Sequence, residues 1–211
     1  MVQMIPENFN IQTQECGERL IIPGHAVANH QWREWGHRWL RSLHIDSKDR
    51  IISLGFPKFM NLGEGFGRFN IDQRQILRQT NQDLWATLKI DGSLLIRFVQ
   101  DGKVKWRTRG AFRVGVDNAW ELDEIIPSYP VLSNPDYRTN DSLMFEWVSP
   151  LNQIVIKYDQ PAIILVGAAR YHPQLPWHEA EPCLYKIQEL QRVSEETKVP
   201  LVDLRLDITS T

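Results

Sequence analysis

The stretch that decides the fold of this chain is LLIRFVQDGKVKWRTRG, residues 94–110. Its first six residues are mostly apolar, which is typical of a buried β-strand. The residues Gln100-Asp101-Gly102-Lys103 then supply the Asp-Gly pair of a tight hairpin turn. Basic residues alternate with other residues after this turn, as expected for a second strand whose two faces differ. We therefore expect an antiparallel β-hairpin here.

Strand patterns recur outward from this hairpin, and helices are predicted near both ends of the chain. Further strands are expected over residues 142–148, 153–158, 163–166 and 199–206. The apolar spacing predicts helices over residues 26–43 and 179–197, with a weaker helix at 70–85 and a flexible turn at 63–67. Antiparallel hairpins with flanking helices define an α+β fold.

Three tryptophans and three histidines recur along the predicted helix over residues 26–43. They are Trp32, Trp35 and Trp39, and His30, His37 and His44. The tryptophans fall on one stripe, and we expect that stripe to pack against a sheet rather than to stack on a nucleotide. The histidines are two turns apart, about 10 Å along a helix, which is too far to share one metal ion. The sequence therefore indicates no metal site.

The composition bounds the domain organisation and the mode of any nucleic-acid binding. The chain has 211 residues, of which 42% are hydrophobic and 24% are charged. This predicts one domain over residues 1–211, divided into an N-terminal subregion (1–48), a central β-rich part (49–170) and a C-terminal helix and strand (171–211). The formal net charge of −2 excludes a polycation. Nucleic acid would have to bind through a local basic patch.

Cysteine usage and hydropathy favour a cytoplasmic protein without membrane segments. Cys16 and Cys183 are far apart and belong to no Cys-x-x-Cys motif, so we expect two reduced thiols. The N-terminus lacks the basic and apolar regions of a signal peptide. The longest apolar run, residues 162–169, is far too short to cross a bilayer.

Four segments with polar or charged residues stand out as candidates for chemistry. They are Phe56-Pro57-Lys58-Phe59-Met60-Asn61, Lys89-Ile90-Asp91-Gly92-Ser93, Trp106-Arg107-Thr108-Arg109-Gly110 and Leu143-Met144-Phe145-Glu146-Trp147-Val148. Taken alone, a lysine before Asp-Gly is typical of a hairpin turn with a solvated lysine. Glu146 is more informative, because a carboxylate inside an apolar strand is costly unless it faces a polar cleft or is paired.

These four segments, in this order, resemble the nucleotidyltransferase domain of the phage T4 RNA ligase 1-like family. That family has a Lys-x-Asp-Gly motif, an upstream Lys-Phe-x-Asn segment, a downstream Thr-Arg-Gly segment and a strand containing Phe-Glu. The resemblance covers residues 49–158. The first motif is shared with DNA ligases and mRNA capping enzymes, whereas its neighbours favour RNA ligase. The resemblance implies an antiparallel-sheet nucleotidyltransferase lobe, similar to those of ATP-dependent ligases and ATP-grasp enzymes.

By this resemblance, Lys89 is the nucleophile that takes AMP from ATP and passes it to an RNA 5′-phosphate, after which a 3′-hydroxyl seals the strand. Glu146 would hold the ribose hydroxyls. The other implied site residues are Lys58 and Arg19 on the phosphates, Arg109 on nucleotide or phosphate, and Asp91 and Gly92 in the loop around the lysine. The implied cofactors are ATP and Mg²⁺, and the implied partner is RNA with 5′-phosphate and 3′-OH ends.

The residues around Lys89 suit this chemistry. A lysine amine attacks phosphorus only when neutral, and a free lysine with a pKa of about 10.4 is almost wholly protonated at pH 7. Nearby cations favour the neutral form. Between Arg97 and Arg113 there are six basic residues and one acid, Asp101. Lys103 and Lys105 are equally compatible with a solvated edge strand.

Two further family motifs, a Glu-Gly strand and a Lys-x-Lys strand, are not found after Tyr158. The late lysines Lys186 and Lys198 stand alone. We therefore expect a domain that is incomplete at its C-terminal side and weak or inactive by itself. A split gene whose second chain carries the missing motifs, a truncated reading frame and a shortened sequence would each explain this. The alternatives are a non-catalytic RNA- or nucleotide-binding fragment and a GTP-using, capping-type transferase.

Overall fold

A computed structural model describes residues 5–61, 86–151 and 154–205. The strands within these ranges are β1 Phe9–Thr13, β2 Arg19–Pro23, β3 Leu43–Ile45, β4 Ile51–Leu54, β5 Ala86–Thr87, β6 Ser93–Gln100, β7 Lys103–Thr108, β8 Asp141–Val148, β9 Ala162–Arg170, β10 Cys183–Leu184 and β11 Leu204–Arg205. The helices are α1 Trp35–Trp39, α2 Trp120–Ile125 and α3 Ile187–Thr197, with 3₁₀ turns at Asn29–Trp32, Ile126–Ser128 and Pro130–Ser133. The predicted α+β class is confirmed. No helix in these ranges is long and apolar enough to cross a membrane.

The strands form two larger antiparallel sheets and one small sheet. The first sheet has the order β1-β2-β3-β4, the second β10-β9-β8-β6-β7, and β11 pairs with β5 alone. The predicted hairpin is confirmed as β6 and β7, with Gln100 opposite Lys103. Asp101 and Gly102 both adopt positive φ angles, of 53° and 68°. This conformation explains the Asp-Gly pair, because such turns match the twist of the strands they join.

The second sheet is buried on both faces. The side chains of β8 alternate between two hydrophobic cores. Leu143 and Phe145 pack with helix α3 on one face of the sheet, and Met144 packs with the first sheet on the other. Glu146 is the next residue in this alternation after Met144, so its side chain faces the side of the first sheet. The central strands therefore place one carboxylate between two β-layers.

Four of the predicted elements differ from the structure. One is the last strand, which was expected over residues 199–206 and is limited to β11, Leu204–Arg205. The helix expected over residues 26–43 is wrong: a 3₁₀ turn and the short helix α1 are followed by strand β3, which pairs with β2 and β4. The strand expected at 153–158 is absent from its described residues, 154–158, and β8 pairs with β9 instead. The C-terminal helix begins only at Ile187. The helix expected at 70–85 and the turn at 63–67 lie outside the described residues.

The positions of the tryptophans and histidines reflect these differences. Trp32 and Trp39 are buried, with 4% and 1% exposure, and Trp39 packs in the core beneath the first sheet. His44 lies in β3 rather than on a helix, and its Nε2 is 3.1 Å from Glu18 Oε2. Across the described ranges, no three His, Cys, Asp or Glu side chains are grouped closely enough to hold a metal ion.

Candidate active site

A cavity of about 650 Å³ opens beside the Lys-x-Asp-Gly motif. Its volume lies within the range of roughly 300–1,000 Å³ typical of small-molecule sites. The residues that line it are Arg41, Phe56, Phe59, Thr87, Leu88, Lys89, Ile90, Gly92, Leu94, Arg109, Glu146, Val166 and Val202. Side chains from all four of the sequence segments singled out above therefore meet at one cavity, although those segments are up to 90 residues apart.

Lys89 is held at the cavity wall by the small sheet. Strand β5 ends two residues before it and pairs with β11, with Thr87 opposite Leu204. The N–H of Leu88 also donates to the carbonyl of Asp203 at 3.0 Å. The Lys89 side chain itself is exposed. The late strand therefore supports the backbone of the lysine segment, and Val202 beside it forms part of the cavity wall.

The lysine loop is the stretch of residues 88–92 that contains Lys89. Gly92 and Glu146 hold one side of this loop. The Gly92 N–H donates to Glu146 Oε1 at 3.1 Å. A Cβ atom on residue 92 would lie 2.5 Å from the carbonyl oxygen of Trp147, so only glycine fits this approach. Burial raises the pKa of the Glu146 carboxyl, whereas the Gly92 N–H and the charge of Lys89 act in the opposite direction. Glu146 is thus a half-buried hydrogen-bond acceptor at the cavity wall.

Asp91 fixes the other side of the loop. Its Oδ2 accepts the N–H groups of Val155 and Ile156 at 2.6 and 2.8 Å. Its own N–H donates to the hydroxyl of Tyr158 at 3.3 Å. The two backbone donors lower the pKa of Asp91. This arrangement explains why residues 155 and 156 form a loop rather than a strand, and it fits the expectation that Asp91 sets the loop.

Two arginines bring positive charge to the cavity. Arg109 follows strand β7 and is exposed. Arg41 lies between α1 and β3, and its guanidinium is 4.4 Å from the ring centroid of Phe59. Burial, followed by the charge of Arg109, lowers the pKa of Arg41. Arg41 was not among the site residues predicted from the sequence, because it falls within residues 26–43, which were predicted to form a helix that packs against a sheet.

Arg19, expected on the phosphates, is not among the residues that line this cavity. Its side chain extends from β2 to an ion pair with Asp49 and lies 3.5 Å from the carbonyl of Asp46. That ion pair ties β2 to the turn before β4. Lys58 is half-buried and its N–H donates to the carbonyl of Arg38 at 2.7 Å. The Lys58 side chain does not line the cavity, although Phe56 and Phe59 on either side of it do.

Solved structures of two ligases resemble the fold of this chain. A protein of Aquifex aeolicus described as an ATP-dependent DNA ligase shares the fold with a TM-score of 0.53 and 14% identity, over 93% of this chain and 47% of that one. An RNA ligase of Naegleria gruberi, solved with pyrophosphate, aligns with a TM-score of 0.44 and 17% identity, over 71% of this chain and 44% of that one. The Aquifex protein shows the fold that this chain shares. The chain thus has the fold of the nucleotidyltransferase domain of ATP-dependent ligases.

The sequence comparison is more specific. The profile of a family described as RNA ligase matches residues 39–203, which is more than half of the chain. The chain belongs to this RNA ligase family. No curated protein sequence matches it significantly. The chain spans less than half the length of the solved ligases that it resembles.

Proposed function

We propose that this chain is the adenylation domain of an ATP-dependent RNA ligase and that Lys89 is the residue that becomes adenylylated. One observation carries the proposal: Lys89, Glu146 and Arg109 line a single cavity of nucleotide-compatible size. A lysine, a half-buried acid and cations are the groups that nucleotidyl transfer to an amine requires. Membership of the RNA ligase family supports RNA as the substrate.

The proposed reaction begins with attack of the neutral Lys89 amine on the α-phosphorus of ATP. A P–N bond forms, the bond to pyrophosphate breaks and the amine loses its proton. The AMP group is then transferred to the 5′-phosphate of an RNA, and a 3′-hydroxyl displaces AMP to seal the strand. We propose that a divalent cation, Mg²⁺, enters with the triphosphate and neutralises part of its charge. ATP with manganese is present in one Naegleria ligase structure.

Each polar residue of the cavity has a proposed role. Arg41, rather than Arg19, would contact the phosphates together with Arg109, because both guanidinium groups lie at the cavity. Glu146 would accept hydrogen bonds from the ribose hydroxyls. Lys58 would contact the outer phosphates, since it lies between two lining residues in the sequence. Asp91 and Gly92 would keep the lysine loop in register with β8.

The Glu-Gly and Lys-x-Lys motifs of the family are not found in residues 159–211. We propose that the corresponding groups come from residues outside this sequence, in the same polypeptide or in a separate chain. The joining of a 5′-phosphorylated RNA is therefore proposed for the ligase that contains these groups. Residues 1–211 are proposed as one domain.

A labelling experiment tests the proposed function. The chain is incubated with α-labelled ATP and Mg²⁺, alone and with a polypeptide that supplies the two missing motifs. We expect covalent label on the protein that is released by pyrophosphate and abolished by chelating the metal. Label from GTP in preference to ATP would favour a capping-type transferase. ATP binding without any label in the supplemented sample would contradict the proposal and favour a non-catalytic binding fragment.

Glu146→Gln should weaken ATP binding without destabilising the protein. Glutamine keeps an oxygen for the Gly92 N–H, but it removes the charge that ribose hydroxyls would contact. The expected loss of ATP affinity is on the order of tenfold or more, as for hydrogen bonds to a charged group. Calorimetric titration with ATP measures it. Unfolding of the variant, with unchanged affinity per folded molecule, would make Glu146 a structural residue.

The stability of Glu146→Gln relative to the wild type should also depend on pH. Because burial raises the pKa of Glu146 above its ordinary value of 4.5, ionisation in the folded state costs stability. That cost is absent below the unfolded pKa, grows as pH rises through it, and is complete above the folded pKa. Glu146→Gln should therefore be at least as stable as the wild type at pH 7.5. This relative advantage should shrink as pH falls to 4.5 and below, as thermal melts at several pH values would show.

A further inference from the structure

A fully buried arginine lies behind the cavity. Arg107, in β7, has 0% exposure and occupies the space between the second sheet and the first. The alternation of basic residues predicts that Arg107 shares one strand face with Lys103 and Lys105. On that face Lys103 is exposed and Lys105 is partly buried, whereas Arg107 is buried and contacts Ser53 of the first sheet.

The Arg107 guanidinium is bonded to oxygen atoms that are all uncharged. Its Nε donates to Ser53 Oγ at 2.7 Å, its Nη1 to Ser42 Oγ at 2.8 Å and its Nη2 to the Ser42 carbonyl at 3.0 Å. Nη1 also contacts the carbonyls of Thr108 and Arg109, at 3.0 and 3.5 Å. Within the described part of the chain, no carboxylate forms an ion pair with it. A buried cation without a counter-charge is costly, and an apolar residue would be expected at such a position if packing were the only requirement.

The contacts of Arg107 converge on the two cavity arginines. Ser42 directly follows Arg41, and its hydroxyl donates to the carbonyl of Arg109 at 2.7 Å while accepting from Arg107. The Ser42 carbonyl also accepts the N–H of Gly55 at 2.9 Å. One guanidinium thus bonds to both backbone segments that carry the cations of the cavity.

We propose that Arg107 is a positioning residue of the nucleotide site, whose planar guanidinium ties Ser42 to the carbonyl of Arg109 and so holds Arg41 and Arg109 at a fixed separation. The inference rests on the proposed function, because the phosphates of ATP are what the two arginines would be positioned for. Arg107 itself does not line the cavity. Its rigid fork suits this role better than a flexible ammonium would.

Arg97 provides a matched control. It also has 0% exposure, and it lies on the neighbouring strand β6 opposite Trp106. Its guanidinium likewise donates to backbone carbonyls, those of Leu132, Asn134 and Tyr137. These carbonyls are on the helical side of the second sheet, away from the cavity. Arg97→Met and Arg107→Met therefore remove equivalent buried cations, but only the second removes contacts to cavity segments.

The experiment compares the two variants in the full 211-residue chain by amide hydrogen exchange and by ATP binding and labelling. In Arg107→Met we expect amides of residues 41–43 and 108–110 to exchange at least about tenfold faster, because local opening becomes easier. In Arg97→Met the faster exchange should fall on residues 132–137 instead. Labelling per folded molecule should fall on the order of 100-fold in Arg107→Met, as for a misplacement of about 1 Å. It should stay within about threefold in Arg97→Met.

A double-mutant cycle separates positioning from general structural support. If Arg107 acts through Arg109, the loss caused by Arg107→Met should shrink to within about threefold in an Arg109→Ala background, because coupled residues are not additive. Arg107→Lys should restore part of the labelling. If Arg107→Met does not fold, Ser42→Ala removes only the shared hydroxyl and should change exchange and labelling in the same direction.

The outcomes that overturn the inference differ from those that overturn the function. Unchanged exchange at residues 41–43 and 108–110, equal labelling losses in the Arg97 and Arg107 variants, or an additive double mutant would each remove Arg107 from a positioning role. A wild-type chain that neither binds ATP nor takes label, even when supplemented with the missing motifs, would instead refute the proposed function. The hydrogen-exchange comparison would still report whether Arg107 orders the two segments.

Discussion

Lys89→Ala should abolish covalent labelling by ATP while leaving the fold and the binding of ATP largely intact. The side chain is exposed, so removing it should change the free energy of unfolding by no more than about 0.5 kcal/mol. The loss of label should be complete within detection, at least on the order of 1,000-fold, because no P–N bond can form without the amine. Electrophoresis of the labelled protein and mass mapping of the modified peptide measure this.

The control for Lys89 is Lys186→Ala. Lys186 lies beside a neighbouring cavity that shares Phe56, Thr87 and Val166 with the first. It is also one of the two lone late lysines, so its replacement tests whether a different amine completes the site. Lys186→Ala should label like the wild type. Undiminished label in Lys89→Ala, or label mapped to another lysine, would transfer the nucleophile role away from Lys89.

The sequence predicted those parts of the fold and site that depend on local patterns. The β6–β7 hairpin follows from the Asp-Gly pair at 101–102, which favours the positive φ angles that the turn adopts. The cavity position of Glu146 follows from the cost of a carboxylate in an apolar strand. In both cases a short stretch of sequence contains the physical constraint, so no knowledge of distant residues is needed.

The parts that the sequence did not predict depend on contacts between distant segments. Arg41 reaches the cavity because α1 ends at Trp39 and β3 begins at Leu43, whereas a continuous helix over residues 26–43 had been predicted. Arg19 was placed on the phosphates by the family resemblance, and nothing in its own segment indicates the ion pair with Asp49, thirty positions away. The burial of Arg107 depends on the hydroxyls of Ser53, in strand β4, and of Ser42, just before strand β3.

The lysine motif itself illustrates both cases. Its Asp-Gly pair suggested a simple hairpin turn, yet Asp91 binds the N–H groups of Val155 and Ile156 and Gly92 binds Glu146. Both residues therefore contact distant segments, a loop for Asp91 and strand β8 for Gly92, rather than only their own turn. Gly92 does not adopt a positive φ angle. Glycine is required at position 92 because the carbonyl oxygen of Trp147, on the neighbouring strand, leaves no space for a Cβ atom.

Gly92→Ala should be the most damaging single substitution near the site after Lys89→Ala. The new Cβ would lie 2.5 Å from the carbonyl oxygen of Trp147, 3.0 Å from its carbonyl carbon and 3.1 Å from Cγ of Glu146. Strand β8 cannot move away easily, because it is paired with β6 on one side and β9 on the other. The lysine loop must therefore shift, which lengthens the bond from the Gly92 N–H to Glu146 and displaces Lys89.

The expected cost of Gly92→Ala is about 2–3 kcal/mol of unfolding free energy, the upper part of the usual range for overpacking. For a chain of this size that corresponds to a melting temperature lower by roughly 5–10 °C. Labelling per folded molecule should fall on the order of 100-fold, because the nucleophile is displaced by a fraction of an ångström or more. Gly115→Ala is the control: its Cβ would meet no atom within 4 Å, and its stability should stay within about 0.5 kcal/mol of the wild type. A Gly92→Ala variant that melts and labels like Gly115→Ala would show that the lysine loop tolerates a side chain, and that its contact with Glu146 does not position Lys89.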